Sequence, residues 1–124
     1  MKIISEVTSG MGKAKYFLSK EYYSNEFNKK CGFKPFPGTL NLIIDDKYLD
    51  EIAQIKNDCT NIINENNSFG AVKYIDAILN CEFKGAIIFP LKTTHDENHL
   101  EFICRDKLRD LLNLKDGDEV ILEF

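Results

Sequence analysis

Short apolar, β-branched stretches recur along the whole chain, separated by glycine, proline, asparagine and aspartate. Runs of this length and pattern predict strands. Ile3 to Thr8, Thr39 to Ile44, Gly70 to Leu79, Gly85 to Phe89, Leu100 to Cys104 and Glu119 to Phe124 read this way, with Thr60 to Ile63 as a shorter one. Helical patterning is confined to Glu21–Lys30, Lys47–Ile55 and Arg105–Leu112. Tyr22, Tyr23 and Phe27 mark the buried side of the first helix, and Gly32 suits a left-handed C-terminal cap. Pro35 and Pro37 then force an extended or turning connection. Lys115-Asp116-Gly117-Asp118 reads as a turn. Strands and helices do not alternate as βαβ units, which argues against a doubly wound nucleotide fold. The expected fold is mainly β: a small closed barrel with short connecting helices.

With 124 residues, no internal repeat and no linker, the expectation is one domain over 1–124. A chain this long buries roughly two-thirds of its unfolded surface and needs no metal or disulfide to fold. The apolar fraction is 44% and the charged fraction 29%, which sets aside disordered and collagen-like chains. No apolar run approaches the ~20 residues of a membrane span. The net charge of −4 disfavours nucleic acid as a partner, while leaving room for a local anion site. The start of the chain lacks the apolar core of a signal peptide, so a cytoplasmic location is expected. Cys31, Cys59, Cys81 and Cys104 form no CxxC pair and are expected to be small buried hydrophobes.

Four segments can carry chemistry. Ser9-Gly10-Met11-Gly12-Lys13-Ala14-Lys15 combines two glycines with two lysines, which suits a di- or triphosphate. It has neither Walker A spacing nor the third glycine of a dinucleotide fingerprint, and a plain glycine turn would look the same. In Pro37-Gly38-Thr39-Leu40-Asn41-Leu42, strand alternation puts Thr39 and Asn41 on one side and Leu40 and Leu42 on the other. Two neutral oxygen donors would suit Mg²⁺ shared with phosphates, or would merely occupy an outer strand face. His95 and His99 stand four apart but lack the HExxH order, so they read as solvated loop histidines. Thr93 and Glu101, in the same stretch, can hydrogen-bond a polar heterocycle. Asp106-Lys107-Leu108-Arg109 opens the last helical segment, where a helix N-terminus would offer free N–H groups, or forms an ordinary exposed surface.

In this order, the stretches SGMGKAKYFLS, GFKPFPGTLNL, GAIIFPLKTTH and LEFICRDKLRDLLNLKDGDEVIL resemble the archaeal CTP-dependent riboflavin kinases. Only Asp45–Asn80 lacks a distinctive motif. The resemblance implies a β-barrel of the cradle-loop type and the reaction riboflavin + CTP → FMN + CDP. It implies a nucleotide-binding loop at Gly10, Met11, Gly12, Lys13, Ala14 and Lys15, with Ala14 where the family frequently has glycine. It also implies nucleotide contacts at Asp106, Lys107, Leu108 and Arg109, Mg²⁺ ligands at Thr39 and Asn41, and flavin contacts at Thr93 and Glu101. It supplies no general base and no obligate protein partner. The alternative is a non-catalytic barrel, binding flavin or, with a basic face that this charge balance does not favour, DNA.

Overall fold

The computed structural model describes residues 1–10, 20–64, 70–90 and 98–124. Its strands are β1 (Lys2–Thr8), β2 (Leu40–Ile44), β3 (Ile62–Ile63), β4 (Val72–Leu79), β5 (Phe83–Pro90), β6 (His99–Cys104) and β7 (Glu119–Glu123). The helices among the described residues are α1 (Glu21–Cys31), α2 (Leu49–Asp58) and α3 (Leu108–Leu111), with a 3₁₀ turn at Asp46–Tyr48.

The strands pair antiparallel in the order β3-β4-β5-β6-β2-β1-β7, and β7 returns to β4. Six strands therefore close into a barrel. β4 serves two neighbours along one edge, with Val72 and Lys73 facing β3 and Ile78 and Leu79 facing β7. Closure satisfies backbone groups that an open sheet would leave at its edges.

Period-two alternation fills the interior. Along β1, Ile3, Ser5 and Val7 are buried while Lys2, Ile4 and Glu6 are exposed. Leu40, Leu42 and Ile44 from β2 join Ala77, Leu79, Ile87, Phe89, Leu100, Phe102, Val120 and Leu122 in one cluster. Ser5 tolerates this interior because its hydroxyl donates to Val120 O at 3.3 Å.

A second apolar cluster lies on the outside of the wall. Tyr23 and Phe27 of α1 cover Ile63, Val72, Tyr74, Ala86, Ile88 and Ile103. β5 is therefore buried on both faces, which explains why GAIIF is apolar without alternation. α1 ends at Gly32, whose φ of 81° and N–H bond to Asn28 O form the expected cap. Tyr22, expected on the buried side, is only half-buried.

Two further expectations about the fold fail. The segment predicted as a helix over Arg105–Leu112 forms a single turn, Leu108–Leu111, entered from an extended Lys107. The cysteines are not uniformly buried: Cys104 is, Cys31 and Cys59 are intermediate, and Cys81 is exposed. Cys81 sits at the β4–β5 hairpin tip, where Asn80 and Cys81 both have positive φ (52° and 60°) and Glu82 N bonds Leu79 O at 3.1 Å. Two left-handed central residues match the twist of a tight hairpin, and a hairpin tip points to solvent.

Candidate functional site

The site is built around β2, which lies between β1 and β6 with Asn41 opposite Thr8 on one side and Glu101 on the other. Leu40 and Leu42 anchor the strand inward, and Thr39 and Asn41 are half-exposed beside them, as the alternation predicts. Gly10 follows the end of β1 and lies directly against Asn41: a Cβ there would overlap the Asn41 amide. Any larger residue would displace one of the two.

Thr39 Oγ1 donates to Glu101 Oε1 at 3.3 Å. Asn41 Nδ2 contacts Thr39 O at 3.4 Å, and His99 Nε2 lies 2.9 Å from Asn41 Oδ1. The Asn41 side chain is thus held from both ends. Glu101 is 6% exposed and forms part of the same wall.

A cavity of about 240 Å³ opens over this strand. Gly10, Thr39 and Asn41 line it together with Asp106, Lys107, Leu108 and Arg109. Phe36 lines it too; its N–H donates to Cys104 O at 2.9 Å, and Lys107 Nζ stands 5.9 Å from its ring centroid. Residues from three distant parts of the sequence, Gly10, Phe36–Asn41 and Phe102–Arg109, therefore share one cavity.

Arg109 Nη2 donates to Thr8 O at 3.2 Å and to Asp116 Oδ1. Asp116 also accepts the Ser9 hydroxyl. The Arg109 guanidinium first, and then the Ser9 hydroxyl, hold the Asp116 carboxyl below the ordinary carboxylate range.

The oxygen donors suit a hard divalent cation. A hydroxyl bound to a cation must send its proton elsewhere, and Thr39 sends its proton to Glu101. Among the described residues no group of three or more His, Cys, Asp or Glu side chains could hold a metal by itself. A cation here would depend on neutral oxygens and on a ligand's own charge.

The family model described as CTP-dep_RFKase, Domain of unknown function DUF120, matches residues 7–124. A protein of Methanobrevibacter smithii named riboflavin kinase is 61% identical over 124 residues, covering 100% of both chains. Riboflavin kinases of Methanothermobacter thermautotrophicus and Methanosphaera stadtmanae are 43% and 41% identical, over 94% and 96% of this chain and 93% and 94% of their own. The chain belongs to the CTP-dependent riboflavin kinase family.

Against that family, the structure brings together Gly10, Thr39, Asn41, Glu101 and Asp106–Arg109. Met11, Gly12, Lys13, Ala14, Lys15 and Thr93 lie outside the described residues, as does His95. Lys107 is the N-cap of α3 and Leu108 and Arg109 begin it, so the expected helix start does line the cavity, on a helix of a single turn. His99 is no loop residue; it begins β6 and contacts Asn41. Sequence reasoning gave no site role to Phe36 or Asp116 and named Ser9 only as the first residue of the glycine segment. The signal for Phe36 was available, since an aromatic between two prolines is held in place and has no strand partner. Asp116 left none, because its partners Ser9 and Arg109 come from other segments.

Proposed function

We propose that this chain is a CTP-dependent riboflavin kinase that moves the γ-phosphate of CTP to the ribityl 5′-hydroxyl of riboflavin, giving FMN and CDP in the cytoplasm. The observation that carries the reading is the packing of Gly10 against Asn41, in a cavity shared with Thr39, Lys107 and Arg109. Phosphoryl transfer depends on in-line positioning and on neutralising phosphate charge more than on covalent help. The stretch from Gly10 to Lys15 cradles the polyphosphate, and Asp106, Lys107, Leu108 and Arg109 complete the nucleotide site. Thr39 and Asn41 hold Mg²⁺, which when bound neutralises charge on the phosphate oxygens.

Asn41 has its Nδ2 turned toward Thr39 O and its carbonyl oxygen against His99 Nε2, which leaves that oxygen one further lone pair for a cation. Thr39 presents lone pairs because its proton points to Glu101. Glu101, with Thr93, binds the flavin. One carboxylate thus touches both the flavin side and the metal side, placing the acceptor hydroxyl next to the phosphate donor.

The test is FMN formation by purified protein with riboflavin, Mg²⁺ and each nucleoside triphosphate in turn. CTP is expected to support turnover. No FMN with any triphosphate overturns the reading. Riboflavin affinity without any effect of CDP in calorimetry would instead identify a binding module.

A further inference from the structure

We infer that Asp116 is a positioning residue for the nucleotide, clamping Ser9 at the mouth of the glycine loop to Arg109 in the second nucleotide segment. The inference rests on the nucleotide reading above and extends it to a turn that the reading leaves without a role.

The turn is well placed for this. Gly117 has a φ of 93°, its N–H donates to Val7 O at 2.8 Å, and Val7 N donates to Asp118 O at 2.8 Å. Asp118 closes the turn by accepting from Lys115 N at 2.8 Å. The backbone of the turn is therefore fixed to the end of β1, and Asp116 projects from it beside the start of the loop. Its Oδ2 accepts the Ser9 hydroxyl at 2.9 Å and its Oδ1 accepts Arg109 Nη2.

Arg109 is tied from a second direction, since the same Nη2 donates to Thr8 O at 3.2 Å. Both Nη2 protons are thus engaged. Among the described residues, the Nε and Nη1 protons are the ones left for a phosphate or a base edge. Asp116 fixes which way they face. Without the clamp, Arg109 regains rotamer freedom, and ordering it again must be subtracted from binding.

An exposed ion pair contributes little to stability, so a purely structural tie and a positioning tie predict different results. The readout is CDP binding by calorimetry with Mg²⁺ on the full chain, with thermal unfolding alongside. Asp116→Ala is expected to weaken CDP about tenfold, leaving riboflavin affinity and the unfolding temperature unchanged. In an Arg109→Ala background the same change is expected to add nothing, because its effect passes through that guanidinium. Ser9→Ala, which removes only a hydroxyl, is expected to weaken CDP in the same direction by less, and serves if Asp116→Ala does not fold. Wild-type CDP binding by Asp116→Ala or, where that variant does not fold, by Ser9→Ala overturns the clamp. So does an Asp116→Ala loss that persists in full without Arg109. Failure of the wild-type chain to bind CDP overturns the nucleotide reading itself, and the clamp with it.

Discussion

β6 turns two kinds of surface outward within three residues. At Ile103 its outer face lies under α1 among Phe27, Tyr74 and Ile88. At Glu101 and His99 the outer face carries hydrogen bonds to Thr39 and Asn41 instead. The inner face is the same in both stretches, with Leu100, Phe102 and Cys104 in the barrel core. The interior therefore sets the fold without distinguishing the two regions. What lies outside decides which stretch is covered by a helix and which carries polar contacts. The covered stretch should respond to side-chain volume, and the polar stretch to oxygen donors and charge.

The largest expected effect is on the polar side. Asn41→Ala is expected to lower FMN formation about 10³-fold, as loss of a positioned polar group in an active site does, and to remove the metal dependence. Its unfolding temperature should stay near wild type; unfolding instead would make the strand's polar face structural and erase the contrast. On the covered side, Phe27→Ala is expected to cost about 4 kcal/mol in urea denaturation, because Phe27 is fully buried. Turnover per folded molecule should be unchanged, and a selective loss of turnover would show that α1 belongs to the site.

The polar side should also have its own acid response. Asp116 is held below the ordinary carboxylate range, so its charged hold on Arg109 is present above that range and lost as pH falls through its lowered folded value. A carbon-detected titration should show this carboxyl below the ordinary value, and Arg109→Ala should return it upward. Thiol labelling gives a smaller contrast. Burial pushes Cys31 up to about 12 and also raises Cys104, so both should react slowly beside exposed Cys81. The smallest effect is at the hairpin tip: Cys81→Gly should gain about 1 kcal/mol in urea, by relieving a positive φ that glycine adopts freely.

Much of the barrel was legible because each strand states its own inner face. LNLII alternates, and GAIIF does not because a helix covers its other side. The single turn of α3 was not legible: RDKLRDLL has a helical composition, but Lys107 is held extended and the chain turns back after Leu112. Within the site, Thr39 and Asn41 could be placed by period alone. Their joining to Gly10 could not, since it depends on Thr8 and Asn41 meeting across two strands distant in sequence. The contacts of His99 and Asp116 were hidden for the same reason, as each has a partner that no local spacing identifies.

The way β4 divides its edge has a consequence for how the molecule breathes. Along its other edge β4 is paired with β5 from Val72 to Leu79, but the ring is sealed by Ile78 against Glu123 and Leu79 against Leu122. Asn80 lengthens that seam, donating to Ile121 O at 2.8 Å and accepting from Ile121 N at 2.9 Å. Amide exchange should therefore reach β7 at this seam before it reaches the middle of β5. Because β1, β2 and β6 are paired to one another without using the seam, a transient gap there would leave the wall beneath Asn41 intact.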